Sequence, residues 1–175
     1  ITALTWSAVT TRGLETTLPL PSASSAEISR FRKRLADAPN SDKAKVAAVK
    51  AANDMLLRGF TSIRDLGGPV FGLKRGIDSG LVTGPRIWPA GAFISKTGGH
   101  GDFRLPNELP APPGSFSFSE RVGAAAIADS ADAVRQRARE QLALGASQVK
   151  LMAGGGVTSS YDPLDVTQYT VAELR

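Results

Sequence analysis

Two stretches of this chain follow one pattern. Gly59-Phe60-Thr61-Ser62-Ile63-Arg64 and Gly145-Ala146-Ser147-Gln148-Val149-Lys150 agree in type and order. Each follows a segment of helical periodicity and runs on into glycines, Gly67-Gly68 in one case and Gly154-Gly155-Gly156 in the other. A unit of helix, glycine, strand, basic residue and glycine-rich loop, met twice, leaves few folds open. Helices alternating with strands at this spacing build βα units on a parallel sheet, with ligands at the carboxyl ends of the strands. The expected fold class is therefore α/β, and Arg64, Lys150 and the loop around His100 are expected on one functional face.

Local signals fill in this frame. Asn40-Ser41-Asp42 offers a helix N-cap, and Val46, Val49, Asn53, Leu56 and Leu57 follow at helical spacing until Gly59. Phe60 to Leu66 reads as a strand, Pro69 suits the first turn of a helix running to about Ser79, and Arg86-Ile87-Trp88 reads as a short strand. A long loop follows, holding Thr97-Gly98-Gly99-His100-Gly101-Asp102 and the proline-rich stretch from Leu105 to Gly114; loops of this length in a compact domain are commonly functional or mobile. Ser130 caps a helix through Val134, Ala138 and Leu142, a strand spans 147–153, and the capping box Thr170-Val171-Ala172-Glu173 announces a further helix. A closed eightfold barrel takes ~250 residues, so about three βα units make less than half of one. The chain divides into an unassigned segment, 1–42, and a partial barrel domain, 43–175.

Composition narrows the function classes. With 175 residues, 42% of them hydrophobic, there is material for a core, and no apolar run approaches the ~20 residues that cross a bilayer. The first ten residues are too rich in Thr and Ser for a signal-peptide core, so a soluble protein is expected, with cytoplasm as the default location. The absence of cysteine excludes disulfides and thiolate metal sites. Part of the net charge of +5 comes from Arg30, Arg32, Lys33 and Arg34 around Phe31. That cluster reads as a solvated helix face; the interleaved aromatics of a nucleic-acid module are missing. The start at Ile1 and the end inside a helical pattern give both termini the look of cuts.

Lys150 is the chemically odd residue. An ammonium in a buried strand costs several kcal/mol unless it is neutralised or paired. Either the lysine snorkels from an edge strand to solvent, or it serves chemistry at a strand end. His100, between glycines on the long loop, is either a structural hydrogen-bonder or a substrate contact. Arg64 and Asp65 read as an ion pair or as support for a site, and Tyr161, Asp162 and Asp165 as surface residues within reach of a substrate. The glycine spacing at 154–156 fits neither phosphate-binding fingerprint and suits close backbone approach.

Gly59 to Gly68, Thr97 to Asp102 and Val149 to Val157 together resemble the metal-dependent amidohydrolases of the imidazolonepropionase-like group, which includes Xaa-Pro dipeptidases and carboxypeptidases. The resemblance runs from about Lys43 to Arg175 and implies a partial TIM-like (β/α)8 barrel. It also implies hydrolysis of a peptide-like or amide C–N bond by a metal-activated water. It places Lys150 where the family has a lysine carboxylated by carbon dioxide that bridges two divalent metals, usually zinc. The implied partner is a small-molecule or dipeptide-like substrate, with His100 and Tyr161 as substrate contacts, Arg64 and Asp65 as support, and a homo-oligomer as one assembly; nucleic acid and membrane are not implied.

The chain departs from the family pattern in its ligands. The family has a His-x-His pair after the first strand, histidines after the fifth and sixth, and an aspartate after the eighth, whereas His100 is the only histidine here. Catalytic zinc keeps about three protein ligands. This segment alone is therefore expected to be inactive, and the alternative reading is a truncated or degenerate paralogue serving as a structural or interaction domain.

Overall fold

The computed structural model describes residues 45–112, 114–156 and 162–175, together with the backbone of 6–9 and 40–44. In chain order the elements are β1 (Trp6–Val9), α1 (Asn40–Leu57), β2 (Ser62–Asp65), α2 (Phe71–Asp78), β3 (Arg86–Pro89) and β4 (Phe93–Ser95). A 3-10 turn at Pro106–Glu108, α3 (Phe118–Arg121), β5 (Ala125–Ile127) and α4 (Ala131–Ala143) complete the set.

Two short parallel pairings carry the α/β pattern. β2 lies parallel to β3, with Ile63 opposite Ile87 and Arg64 opposite Trp88. Alternation buries Ile63 and Asp65 on one face of β2 and turns Arg64 to the other; on β3 it buries Ile87 and leaves Trp88 exposed. Ile63, Ile87 and Val70 form a core covered by Met55 of α1 and by Leu73 and Ile77 of α2. Ile63 and Ile87, both 1% exposed, each contribute about 1.5–3 kcal/mol by burial.

The second pairing, β4 with β5, is also parallel. Both strands lie in stretches with no strand signal in the sequence. β5 is an alanine run, poor in β-propensity, held by burial of Ala124, Ala125 and Ala126. β4 follows β3 in the chain after a break at 90–92. Gly91 takes φ 73°, a conformation closed to most side chains, and a Cβ there would collide with the Gln141 amide and the Phe71 ring. The expected single sheet is thus two. β1 adds to the first of them, antiparallel to β2 and inside the segment the sequence leaves unassigned.

The strand expected over 147–153 is reduced to one parallel bridge, Ile94 with Leu151. Ile94 N–H donates to Lys150 O at 2.8 Å and Met152 N–H donates to Ile94 O at 2.9 Å. The ladder stops there because its flanks bond elsewhere: Ser147 N–H goes to Pro89 O, and Ala153 O accepts from Gln168 N–H. Val149 and Leu151 pack on the second core, built on Ile94, Ala128, Val134 and Tyr169.

The Ser130 cap follows the sequence, whereas α1 already begins at Asn40, inside the stretch expected to cap it. The Ser130 hydroxyl accepts from Ala133 N–H at 3.2 Å to open α4. The Thr170 box also forms, with Thr170 N–H donating to the Glu173 carboxylate at 2.7 Å, but a turn follows it instead of the expected helix. Pro69 sits just ahead of α2, whose N-cap is Val70.

Candidate active site

Gln148 gathers the strand ends. Its amide N–H donates to Asp65 O and to Trp88 O, both at 3.2 Å, and its oxygen accepts from Arg64 Nε. One side chain thereby fastens the carboxyl ends of β2 and β3 to the segment carrying Lys150. Val149 and Leu151 pack on the second core, while the Gln148 side chain reaches Arg64. Lys150 is half-buried.

His100 joins the same segment six residues further on. Its Nδ1 lies 2.9 Å from Asp162 Oδ2, and Gly156 N–H donates to that oxygen at 2.9 Å. The ring rests directly on Gly156, where a Cβ would overlap it. A Cβ on Gly155 would likewise strike the carbonyls of Asp162 and Pro163. The glycine run therefore permits close backbone approach, as its spacing suggested. Behind it, the Ser95 hydroxyl bonds His100 O at 2.7 Å and lies 3.2 Å from Gln168 Oε1. The Gln168 amide N–H donates to Gly154 O at 3.0 Å.

The loop bearing His100 is held at its base. Thr97 donates through N–H and hydroxyl to the Asp129 carboxylate, both at 2.7 Å. Asp102 pairs with Arg104 at 2.6 Å and accepts from Gly98 N–H at 2.8 Å. Burial on its own would raise the Asp102 carboxyl; the bonds from Arg104 and Gly98 outweigh it and hold the group below its ordinary range.

Asp65 is the electrostatic exception. It is 2% exposed, and its Oδ2 has no hydrogen-bond partner among the described residues. Burial pushes its pKa up to about 7, against a lowering bond from Gly67 N–H. Arg64 and Asp65 do not pair with each other, because neighbours in a strand project to opposite faces. Asp162, expected at the surface, has a side chain only 6% exposed, whereas Asp165 is exposed as read. Tyr161 and the basic cluster Arg30 to Arg34 lie outside the described residues.

A sequence model of the Amidohydrolase family matches residues 13–175. The chain belongs to the amidohydrolase family. Among its relatives, ochratoxinase from Aspergillus niger is 35% identical over 154 residues, which are 83% of this chain and 31% of the ochratoxinase. The solved structure of a prolidase complexed with N-methylphosphonate-L-proline is 43% identical at a TM-score of 0.69, covering 80% of this chain and 34% of that one. A Xaa-Pro dipeptidase with methionine bound in its active site is 28% identical at a TM-score of 0.62, covering 79% of this chain and 34% of the dipeptidase. This chain spans about a third of the length of these amidohydrolases.

Within this amidohydrolase segment, no three His, Cys, Asp or Glu side chains converge as a metal site among the described residues. His100 Nδ1 is engaged by Asp162. The described residues do not by themselves fit a metal centre. No helix among them is long and apolar enough to cross a membrane. Sequence reasoning missed Gln148, Ser95 and Gln168 as organisers of the site. A lone amide or hydroxyl leaves no periodic trace, and only the mirrored position of Gln148 in the repeat hinted at its use.

Proposed function

We propose that this segment is the part of a hydrolase that carries one wall of its active site, and that the whole protein cleaves a peptide-like or amide C–N bond, as a dipeptidase or carboxypeptidase does. The observation that carries this reading is that Lys150, whose carbonyl accepts from Ile94 N–H, directly precedes the Ile94–Leu151 bridge and lies just ahead of the Gly154–Gly156 loop, in a chain of the amidohydrolase family. The α/β pairings are then pieces of a partial (β/α)8 barrel over 43–175, with α1, α2 and α4 on its outside. The names of the relatives, a prolidase, a Xaa-Pro dipeptidase and an ochratoxinase, support small dipeptide-like or aryl-amide substrates.

In this reading Lys150, as its carbamate, is the ligand this segment contributes to a pair of divalent metals, with zinc as the first candidate. The remaining ligands lie outside the described residues. Carboxylation makes physical sense at this position: it replaces a half-buried ammonium with an anion that cations neutralise. Arg64, through Gln148, holds the segment carrying Lys150 against β2, and Asp65 stands at the end of β2. His100 and Tyr161 are the proposed substrate contacts, His100 toward a substrate carboxylate.

The test is to measure metal content, lysine carbamate by carbon-13 NMR under labelled bicarbonate, and hydrolysis of an Xaa-Pro dipeptide panel in the full protein and its Lys150→Ala variant. Two metals, a carbamate resonance lost in the variant, and a fall of at least a hundredfold in kcat/KM are expected. A full protein that binds no metal and hydrolyses nothing would leave the non-catalytic paralogue as the correct reading.

A further inference from the structure

A cavity packed against the C-terminal half of α4 takes no part in the proposed hydrolysis. Its volume is about 230 Å³, and it lies between the start of α2, the stretch around α3, β5 and α4. Pro69, Phe71, Phe116 and Leu144 are apolar walls, and Arg137 and Gln141 are polar ones. Nothing from 94–102 or 148–156 lines it, so it is separate from the residues around His100 and Lys150. Phe116 and Leu144 are each more than half exposed and stand where it meets solvent.

Gln141 is the group in this cavity with an unused bond. It is 6% exposed, and its Oε1 accepts from Ala92 N–H at 2.8 Å. The backbone partner is a donor, so the atom facing it is the oxygen, and the amide N–H2 is left over. A β-carbon on Gly91 would overlap Oε1, so that end of the amide is enclosed. Nε2 has no hydrogen-bond partner among the described residues. Nor is it sealed in, because Asp65 Oδ2 is the one side-chain atom there that is both sealed and unpartnered. The space Nε2 reaches is the cavity that Gln141 lines. A donor held this deep without a partner is costly, and an acceptor on a ligand would remove the cost.

Charge decides between ligands. Arg137 has two carboxylates beside it, Glu140 at 3.0 Å and Glu120 at 3.9 Å, and its guanidinium stands 5.5 Å from the centre of the Phe116 ring. Two negative charges around one positive charge leave no net attraction for an anion. The aromatic walls favour a flat apolar body. An apolar cavity of roughly 150 Å³ takes up benzene, so the larger volume here takes one ring with a small substituent. We infer that this cavity binds a small neutral aromatic carbonyl compound of the benzamide type. Its ring lies against Phe71 and Phe116, and its carbonyl oxygen accepts from Gln141 Nε2. The site is independent of the hydrolase reading.

The experiment titrates benzamide into the full protein labelled with nitrogen-15, with the Gln141 side-chain amide assigned by its loss in Gln141→Met. A dissociation constant of about 1 mM or below is expected, with the Gln141 amide signals moving as the site fills. Gln141→Met removes the donor and should weaken binding about fivefold to tenfold. Phe116→Ala, at a half-exposed loop position where the fold does not depend on the ring, should weaken it by a similar factor. Benzoate, of the same size but charged, should bind at least about tenfold more weakly than benzamide. Lys150→Ala should bind benzamide as the native protein does. Gln141 signals that stay still throughout, an affinity that neither cavity variant changes, or benzoate binding as tightly as benzamide overturns the proposal. An affinity lost in Lys150→Ala also overturns it, because the benzamide then sits at the substrate face.

Discussion

Asp65 is a carboxylate whose ionisation the fold resists. Its Oδ2 is buried without a partner among the described residues, and its pKa is pushed up to about 7 from an ordinary 3.8. Between those two values the folded state holds a proton that the unfolded state has released. The stability Asp65 contributes is therefore full below about pH 4 and declines as pH rises toward 7, by about 1.4 kcal/mol per unit across the window. Denaturant unfolding at successive pH values should show this slope in the native protein and its removal in Asp65→Asn. Equal slopes in the two proteins would mean that Asp65 stays ionised in the fold. Gly156 is the second residue with a sharp prediction. Alanine there must displace the His100 ring, so Gly156→Ala should cost about 1–3 kcal/mol of stability by overpacking, read as a lower denaturation midpoint, and should weaken substrate binding with it.

At the scale of elements, the ends of β2 and β3 depend on one amide. Replacing Gln148 by Ala strips the Trp88 and Asp65 carbonyls of a donor and frees the Arg64 side chain. A loss of about 1–3 kcal/mol is expected, and Gln148→Glu, which keeps an acceptor for Arg64 but removes the donors, should recover little of it. Hydrogen exchange at Arg64 and Asp65 would locate the damage. Elements of this kind also mark how far the sequence could be read. α1, α2, α4, β2 and β3 were legible from their period and from the caps or glycines at their ends, although Val49 and Leu57 of the α1 stripe and Leu142 of the α4 stripe are exposed. β4 and β5 were not, since β5 is made of alanines that become strand only through burial against neighbours distant in sequence. The strand at Lys150 was over-read for a related reason. Its composition favours extension, yet its flanking backbone groups bond to Pro89 and Gln168 instead of continuing the ladder. Of the candidate site, Lys150 and His100 could be singled out by chemical oddity and setting, whereas the burial of Asp162 depends on a return of the chain that no local pattern announces.

The whole molecule raises the question of what covers the outward face of the first sheet. Trp88 is 48% exposed beside Arg64 on that face, and Leu57, Leu81, Phe103 and Phe118 are each more than 60% exposed elsewhere. Exposed apolar surface together with strands of two or three neighbours favours association, because unpaired strand groups template pairing with another chain. The 175-residue segment on its own should therefore self-associate, with a sedimentation coefficient that rises with concentration. Trp88 supplies a local reporter once Trp6, the other tryptophan, is replaced by Phe. Its emission should be red-shifted in the dilute segment and blue-shifted in the full protein, where a barrel interior would enclose that face. Trp88→Lys should reduce the concentration dependence of the segment without changing its secondary structure. A segment that stays monomeric at all concentrations and melts in one cooperative step, with Trp88 emission equal to that of the full protein, would show that this chain closes its own core and that the outward face needs no cover.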